Sequence, residues 1–249
     1  MRLAIIADVH GNLPALDAVL RDIWRRGADG VVNLGDCVSG PLWPRETCER
    51  LMELDLPTVR GNHDRVVGTG RPGALGLSDR HAYDALDDAQ RAWLAGLPPR
   101  LTLAGGVTLF HATPADDMAY LLDEVADGRL TLAPLASIAA RLAEVEEGVA
   151  LCGHSHQPRA ARLPTGQLVV NPGSVGCPAY SDDAPPHVSE TGSPHARYAV
   201  LTLGEHGAEI ELLAIPYDWE SAAVEAEKNG RPSWAHALRT GFIGPGVSP

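Results

Sequence analysis

The sequence predicts an α+β fold, a four-layer α/β/β/α sandwich of two packed mixed sheets flanked by helices. Three observations lead there. Strand, loop and helix patterns alternate from the first residue to Asp64, strand-like runs outnumber what one parallel sheet needs, and two pairs of them read as hairpins.

Arg2 to Ala7 is a short apolar run ending at Asp8, and Leu13 to Arg26 follows with apolar residues at helical spacing and Pro14 near its start. Gly30 to Leu34 repeats the pattern and ends at Asp36; a loop through Pro41 and Pro44 then leads to a helix over Arg45 to Leu54. Pro57 to Arg60 reads as a third strand, running into Gly61-Asn62-His63-Asp64. Beyond a glycine-rich connector from Gly68 to Gly76, one helix is expected over Asp79 to Leu97. Arg100 to Leu103 and Val107 to Phe110 flank the turn Ala104-Gly105-Gly106, and the second strand runs into His111. Pro134 to Glu147 is read as helix, Val149 to Cys152 as a strand ending at Gly153-His154-Ser155-His156, and Leu168 to Val170 as a strand leading into Asn171-Pro172-Gly173-Ser174. Tyr198 to Leu203 and Glu209 to Ala214 form the second hairpin, around Gly204 to Gly207; Trp219 to Lys228 and Ser233 to Leu238 close the chain as helices.

The expected organisation is a single domain over 1–249, with a C-terminal helical extension over 216–249. Asp182 to His195, proline-rich and poor in apolar residues, is expected to be an exposed loop, disordered or a mobile lid.

With 45% hydrophobic residues in 249, the chain can build a continuous core. No apolar run reaches the roughly 18 residues of a membrane span, and no signal peptide precedes the first strand, so a soluble cytoplasmic protein without membrane association is expected. The four cysteines form no CxxC pair and read as small buried residues. A formal net charge of -12 and the lack of any Lys/Arg-rich run argue against nonspecific nucleic-acid binding. The oligomeric state is not encoded in any pattern we can read.

Singly, an Asp after a strand is usually a cap and a His usually a hydrogen-bonded residue of surface or core. Recurrence argues otherwise. Asp8, His10, Asp36, Asn62, His63, His111, His154 and His156 all fall at strand ends, where open sheets bind ligands, and all have metal-ligand chemistry. A mixed Asp/His/Asn set suits manganese, iron, zinc or nickel better than calcium or magnesium. In Asp8-Val9-His10 and His154-Ser155-His156 the two candidates are one residue apart, so on extended backbone both project to the same side.

In that order, Asp8-Val9-His10-Gly11-Asn12, Gly35-Asp36, Gly61-Asn62-His63-Asp64, His111 and Gly153-His154-Ser155-His156 resemble the five blocks of the calcineurin-like metallophosphoesterases. Asn171 to Gly176 resembles the segment that follows in small bacterial and archaeal members. The resemblance implies two divalent transition-metal ions, with manganese the first choice in vitro. Asp8, His10 and His156 would hold one ion, Asn62, His111 and His154 the other, and Asp36 would bridge them. A hydroxide bridging the metals would attack phosphorus in line, and His63 would be the general acid.

Asn12, Arg60 and Ser174, with Gly173, are candidates for substrate contact. The protein serine/threonine phosphatase branch carries an Asp and an Arg where this chain has Ser39 and Gly40, which disfavours that branch. Ser39 could hydrogen-bond His63 and Asp64 could substitute for the missing Asp, although adjacent side chains on extended backbone point apart, so the sequence leaves open what orients His63; Arg60, Arg159 and Arg65 are the cations near the blocks. The implied activity is hydrolysis of a small-molecule phosphate ester, a phosphodiester first. The alternatives are a phosphomonoesterase acting on small molecules or proteins, and a scaffold without catalysis.

Overall fold

Side chains alternate sides along the first strand, and that alternation sets the layers. In a computed structural model describing residues 1–145, 148–205 and 207–244, the chain runs through β1 (Arg2–Ile6), α1 (Leu13–Arg26), β2 (Gly30–Asn33), α2 (Pro44–Leu54), α3 (Asn62–Thr69), α4 (Leu77–Ala85) and α5 (Asp88–Gly96). Then come β3 (Arg100–Leu103), β4 (Val107–Phe110), β5 (Asp123–Ala126), β6 (Arg129–Leu132), α6 (Leu135–Arg141), β7 (Val149–Leu151), β8 (Pro158–Arg162) and β9 (Leu168–Pro172). The chain ends with β10 (Ala179–Asp183), β11 (Pro186–Glu190), β12 (Ala196–Gly204), β13 (Gly207–Ile215), α7 (Trp219–Lys228) and α8 (Pro232–Thr240).

One sheet has the order β13-β12-β1-β2 and the other β3-β4-β7-β9-β8. Both are mixed: β1 is parallel to β2 and antiparallel to β12, while β4, β7 and β9 run parallel between antiparallel edge strands. Leu3 and Ile5 of β1 face the second sheet, packing with Val32, Leu109, Leu151 and Val170. Ala4 and Ile6, half a pleat away, pack with Leu16, Val19 and Leu20 of α1. The outer face of the second sheet, with Phe110, Ala150 and Val169, is covered by Ile138 and Leu142. The layers are therefore helix, sheet, sheet, helix, as expected. Each fully buried Leu, Ile or Val stabilises this core by roughly 1.5–3 kcal/mol.

Helix α1 has the bounds its sequence predicts. Asn12 accepts from the Ala15 N–H at 3.3 Å, a proline lies in the first turn, and Gly27 ends the helix at φ 66°. The helix expected over Asp79 to Leu97 is two helices. Asp87 and Gln90 form a capping box, with Gln90 N–H to Asp87 Oδ1 at 2.8 Å and Asp87 N–H to Gln90 Oε1 at 3.0 Å, and this starts α5 anew. The helix expected over Pro134 to Glu147 is the shorter α6; residues 146–147 lie outside the described residues. Pro57 to Arg60 contributes one isolated bridge, Thr58 to Asn33.

A third sheet, of order β10-β11-β6-β5, was not expected, and it corrects the reading of 182–195 as a loop. Asp182 and Asp183 end β10, and Pro186 to Glu190 is β11, paired antiparallel with β10. Its polar residues misled the reading because they point inward and are satisfied there. Ser189 Oγ donates to the Ser155 carbonyl at 2.7 Å, and His187 Nε2 meets the Tyr120 hydroxyl at 2.8 Å. The expected C-terminal extension contains α7 and α8, which pack through Ala222, Ala226 and Leu238 onto Leu42; its last five residues, 245–249, lie outside the described residues.

Candidate metal centre and cleft

The parallel strands β1, β2, β4 and β7 all deliver their C-terminal ends to one place. Five of the side chains there sit on left-handed backbone: Asp8 (φ 55°), His10 (φ 50°), Asp36 (φ 55°), His154 (φ 68°) and His156 (φ 58°). Asp and His tolerate this region better than most residues, yet each such residue carries a strain of about 1–3 kcal/mol that the surroundings must hold. The loops are held by backbone pairs, Asp8 N–H to the Gly35 carbonyl at 2.9 Å and His10 N–H to the Asp36 carbonyl at 3.0 Å. Asp64 holds them too, its carboxylate accepting from the N–H groups of Asp36, Cys37 and Gly61 at 2.8–2.9 Å. At Gly61 a Cβ would overlap the Asp36 carboxylate, so the closeness of α3 to that residue requires glycine.

Two groups result. The ligand atoms of Asp8, His10 and His156 lie within 4.8 Å of one another, and so do those of Asp36, His111 and His154. Asp36 touches both groups: its Oδ2 is 3.3 Å from His111 Nε2 and 4.0 Å from His10 Nε2. Asn62 joins the second, with its Oδ1 3.0 Å from His111 Nε2. All seven candidates thus converge.

The donor set fits metal ions, and the hydrogen bonds behind it say why. Each imidazole turns one nitrogen to a backbone carbonyl: His10 Nδ1 to Ser39 (2.6 Å), His111 Nδ1 to Leu34 (2.7 Å), His156 Nδ1 to Cys177 (2.8 Å) and His154 Nε2 to Met118 (2.9 Å). A carbonyl only accepts, so that nitrogen carries the proton, and in His10, His154 and His156 the other presents its lone pair. His10 Nε2 and His156 Nε2 then face each other as lone pairs 3.1 Å apart. Burial pushes both rings down, His10 to about 4, so both nitrogens keep their lone pairs at neutral pH, a donor arrangement that fits a metal ion. Burial, with Asp36 nearby, raises Asp8 to about 8, the mark of two carboxylates sharing a dry site. At His111 the second nitrogen faces two acceptors, Asn62 Oδ1 and Asp36 Oδ2, and although burial opposes charge on the ring, Asp36 and Asp8 raise it to about 10, so the carboxylates favour positive charge at this point.

His63 belongs to neither group, though its backbone N–H donates to Asp36 Oδ1 at 3.0 Å. Its Nδ1 is 2.7 Å from Asp79 Oδ1, which also accepts from Ser39 Oγ at 2.7 Å. Burial opposes a charged ring, but Asp36 and Asp79 raise it to about 9. Asp79 therefore orients His63, which the sequence had left open: Ser39 binds Asp79 rather than His63, and Asp64 is occupied by backbone N–H groups. Sequence reasoning missed Asp79 because it reads as an ordinary acid in a first helical turn. Only its burial, at 8% exposed, marks it.

His10 and His156 of the first group, Asp36, His154 and Asn62 of the second, and His63 line one cleft of about 480 Å³, together with Tyr180, Arg231 and Trp234. Asn12, Arg60 and Ser174, expected to touch substrate, do not line it. Asn12 caps α1 and donates to the Gly176 carbonyl at 3.0 Å, while Ser174 Oγ donates to the Asp8 carbonyl at 2.7 Å, holding a ligand loop from behind. Arg60 donates to the Ala95 carbonyl at 3.3 Å and faces a separate cavity of about 260 Å³ beside His111. Of the other expected cations, Arg159 pairs with Asp123, and Arg65 binds Asp117 in two bonds of 2.7 and 2.9 Å. All four cysteines are buried and free.

A family model described as calcineurin-like phosphoesterase superfamily domain matches residues 1–193. Over 93% of its length the chain is 28% identical to an uncharacterized protein, MJ0912 of Methanocaldococcus jannaschii, of which the match covers 94%. Among solved structures it is similar to a metallophosphoesterase from Sphaerobacter thermophilus, with TM-score 0.75, 24% identity and coverage of 97% of this chain and 99% of that one. It is also similar to hypothetical protein PH1004 from Pyrococcus horikoshii, with TM-score 0.74, 19% identity and coverage of 98% and 99%.

Proposed function

The chain belongs to the calcineurin-like phosphoesterase superfamily, and on that premise we propose that it hydrolyses phosphate esters, diesters ahead of monoesters, with two divalent transition-metal ions. The observation that carries this reading is the position of Asp36 against both ligand groups, with His63, held by Asp79, lining the same cleft. Asp8, His10 and His156 would hold one ion and Asn62, His111 and His154 the other, with Asp36 between them. When bound, the ions supply charge against the phosphoryl oxygens and acidify a water at neutral pH; manganese is the first ion to supply.

The chain's own groups do the rest. His63, held protonated between carboxylates, gives a proton to the leaving oxygen. Asp79 fixes the ring and sustains its charge. Asn62 adds a donor oxygen without adding negative charge. Tyr180 and Trp234 extend the cleft beyond the two groups, which suits the second organic substituent that separates a diester from a monoester. Arg231 in the same cleft is the one feature that favours a monoester dianion. The substrate in this reading is a small molecule: at a net charge of -12 the surface does not attract a polyanion, and no helix among the described residues is long and apolar enough to cross a membrane.

The test is a pair of assays, bis-nitrophenyl phosphate against nitrophenyl phosphate, at one saturating manganese concentration. Faster turnover of the diester is expected. A monoester preference in kcat/KM reverses the order, and no hydrolysis of either, with metal bound, leaves a scaffold.

A further inference from the structure

We propose that Arg231 is an anion-binding residue of the cleft, where its guanidinium takes a phosphoryl oxygen of the substrate. The inference rests on the phosphate-ester reading above and names a residue outside the five sequence blocks that carry it.

Arg231 immediately precedes α8, is half-buried and lines the same cleft as the ligand groups. Its side chain makes one hydrogen bond, Nη1 to Ser78 Oγ at 3.1 Å, and no ion pair among the described residues. A guanidinium has five N–H donors, so most of its capacity is free. Arg65 is paired with Asp117, Arg159 with Asp123 and Arg239 with Glu220 and Glu227, while the buried Arg197, which has no ion pair among the described residues, spends its guanidinium on the His195 and Thr191 carbonyls and Ser193 Oγ. Arg231 has neither kind of partner set. A half-buried cation without a counter-charge is costly unless a ligand brings one, and burial indeed pushes its pKa down. Asp182 and Asp183 line the same cleft without forming an ion pair with it.

The position of α8 also accounts for Gly40. A Cβ there would lie 2.5 Å from the His10 carbonyl oxygen and 3.2 Å from the Trp234 ring. A side chain at that position would collide with the backbone of the His10 ligand loop and crowd the Trp234 ring, so the site does not carry a cation there; α8, packed over Gly40 through Trp234, brings Arg231 to the cleft instead. The placement is firm, since Asn229 Nδ2 donates to the Pro41 carbonyl at 3.0 Å and the Arg231 N–H to the Ala226 carbonyl at 2.8 Å. Planar N–H pairs match phosphoryl oxygens, which is what an arginine offers over a lysine.

The test is the affinity of manganese-loaded protein for inorganic phosphate, measured by calorimetry for wild type, Arg231→Gln and Arg231→Lys, with metal content and thermal unfolding recorded for each. Arg231→Gln is expected to weaken phosphate binding roughly 10- to 100-fold, from the loss of charge-assisted bonds. Arg231→Lys, which keeps charge and loses the fork, should fall between, and both should keep the wild-type metal content. In turnover, KM should rise more than kcat falls. Phosphate affinity within twofold of wild type in Arg231→Gln overturns the assignment, as does a Lys variant no better than Gln if both are folded. The hydrolase reading fails separately: a wild type that cleaves no ester, yet loses phosphate affinity on Arg231→Gln, keeps the anion site and loses the activity.

Discussion

Replacing Asp79 by asparagine removes the negative charge behind His63 while keeping the shape of the side chain. In the native arrangement Asp79 Oδ1 receives His63 Nδ1 at 2.7 Å and Ser39 Oγ at 2.7 Å, and Asp79 is 8% exposed, so little water can replace it. A hydrogen bond to a charged group contributes about 1.5–3 kcal/mol, which at 1.36 kcal/mol per decade corresponds to roughly a 10- to 150-fold loss in kcat. Asp79 is not a ligand candidate, so metal content should not change. The pH profile should change as well. The raised His63 pKa, about 9, keeps the ring protonated below that value, and the acid form is lost as pH rises through it. Without the Asp79 charge the alkaline limb of kcat should move to lower pH, though not fully to the ordinary histidine value, because Asp36 still faces the ring. The assay is kcat against pH for bis-nitrophenyl phosphate with manganese, with elemental analysis of the same preparations. A variant with wild-type kcat and an unmoved alkaline limb, or one that loses metal, refutes the role given to Asp79.

Other outcomes follow from the same geometry. His63→Ala should slow turnover about 100- to 10,000-fold at unchanged metal content, measured by kcat beside elemental analysis. Ser39→Ala, which removes one of two bonds on Asp79, should cost only about 2- to 12-fold in kcat. Asp64→Ala leaves three buried N–H groups, of Asp36, Cys37 and Gly61, without their acceptor, and should destabilise the protein by about 3 kcal/mol or more in denaturant unfolding. Chelator treatment should abolish hydrolysis, and added manganese should restore it.

What could be read from the sequence was what local patterns encode. Helix α1 was legible to the residue because periodicity, the Asn12 cap and Gly27 agree, and the two central sheets followed from apolar alternation. The metal candidates were legible because their side-chain chemistry recurs at strand ends. The left-handed backbone that makes them converge was not, since φ at Asp8 or His156 is imposed by partners far along the chain. The third sheet was hidden because its inward residues are polar and hydrogen-bonded, as Ser189 and His187 are, so alternation gave no signal. The capping box at Asp87 was present in the letters and was passed over within a longer helical pattern. Asp79 and Arg231 lay beyond reach for another reason. Each acts through a tertiary contact, with His63 and with the cleft, that no spacing rule connects.

The account stands on two metal ions sharing Asp36, and metal stoichiometry tests that directly. Wild-type protein saturated with manganese and freed of excess should carry about two ions per chain, and Asp36→Asn, prepared alongside, should lose affinity at both positions together. A wild-type plateau at or below one ion, or an Asp36→Asn protein that keeps one ion at full affinity, contradicts the shared-carboxylate centre on which the hydrolase reading depends.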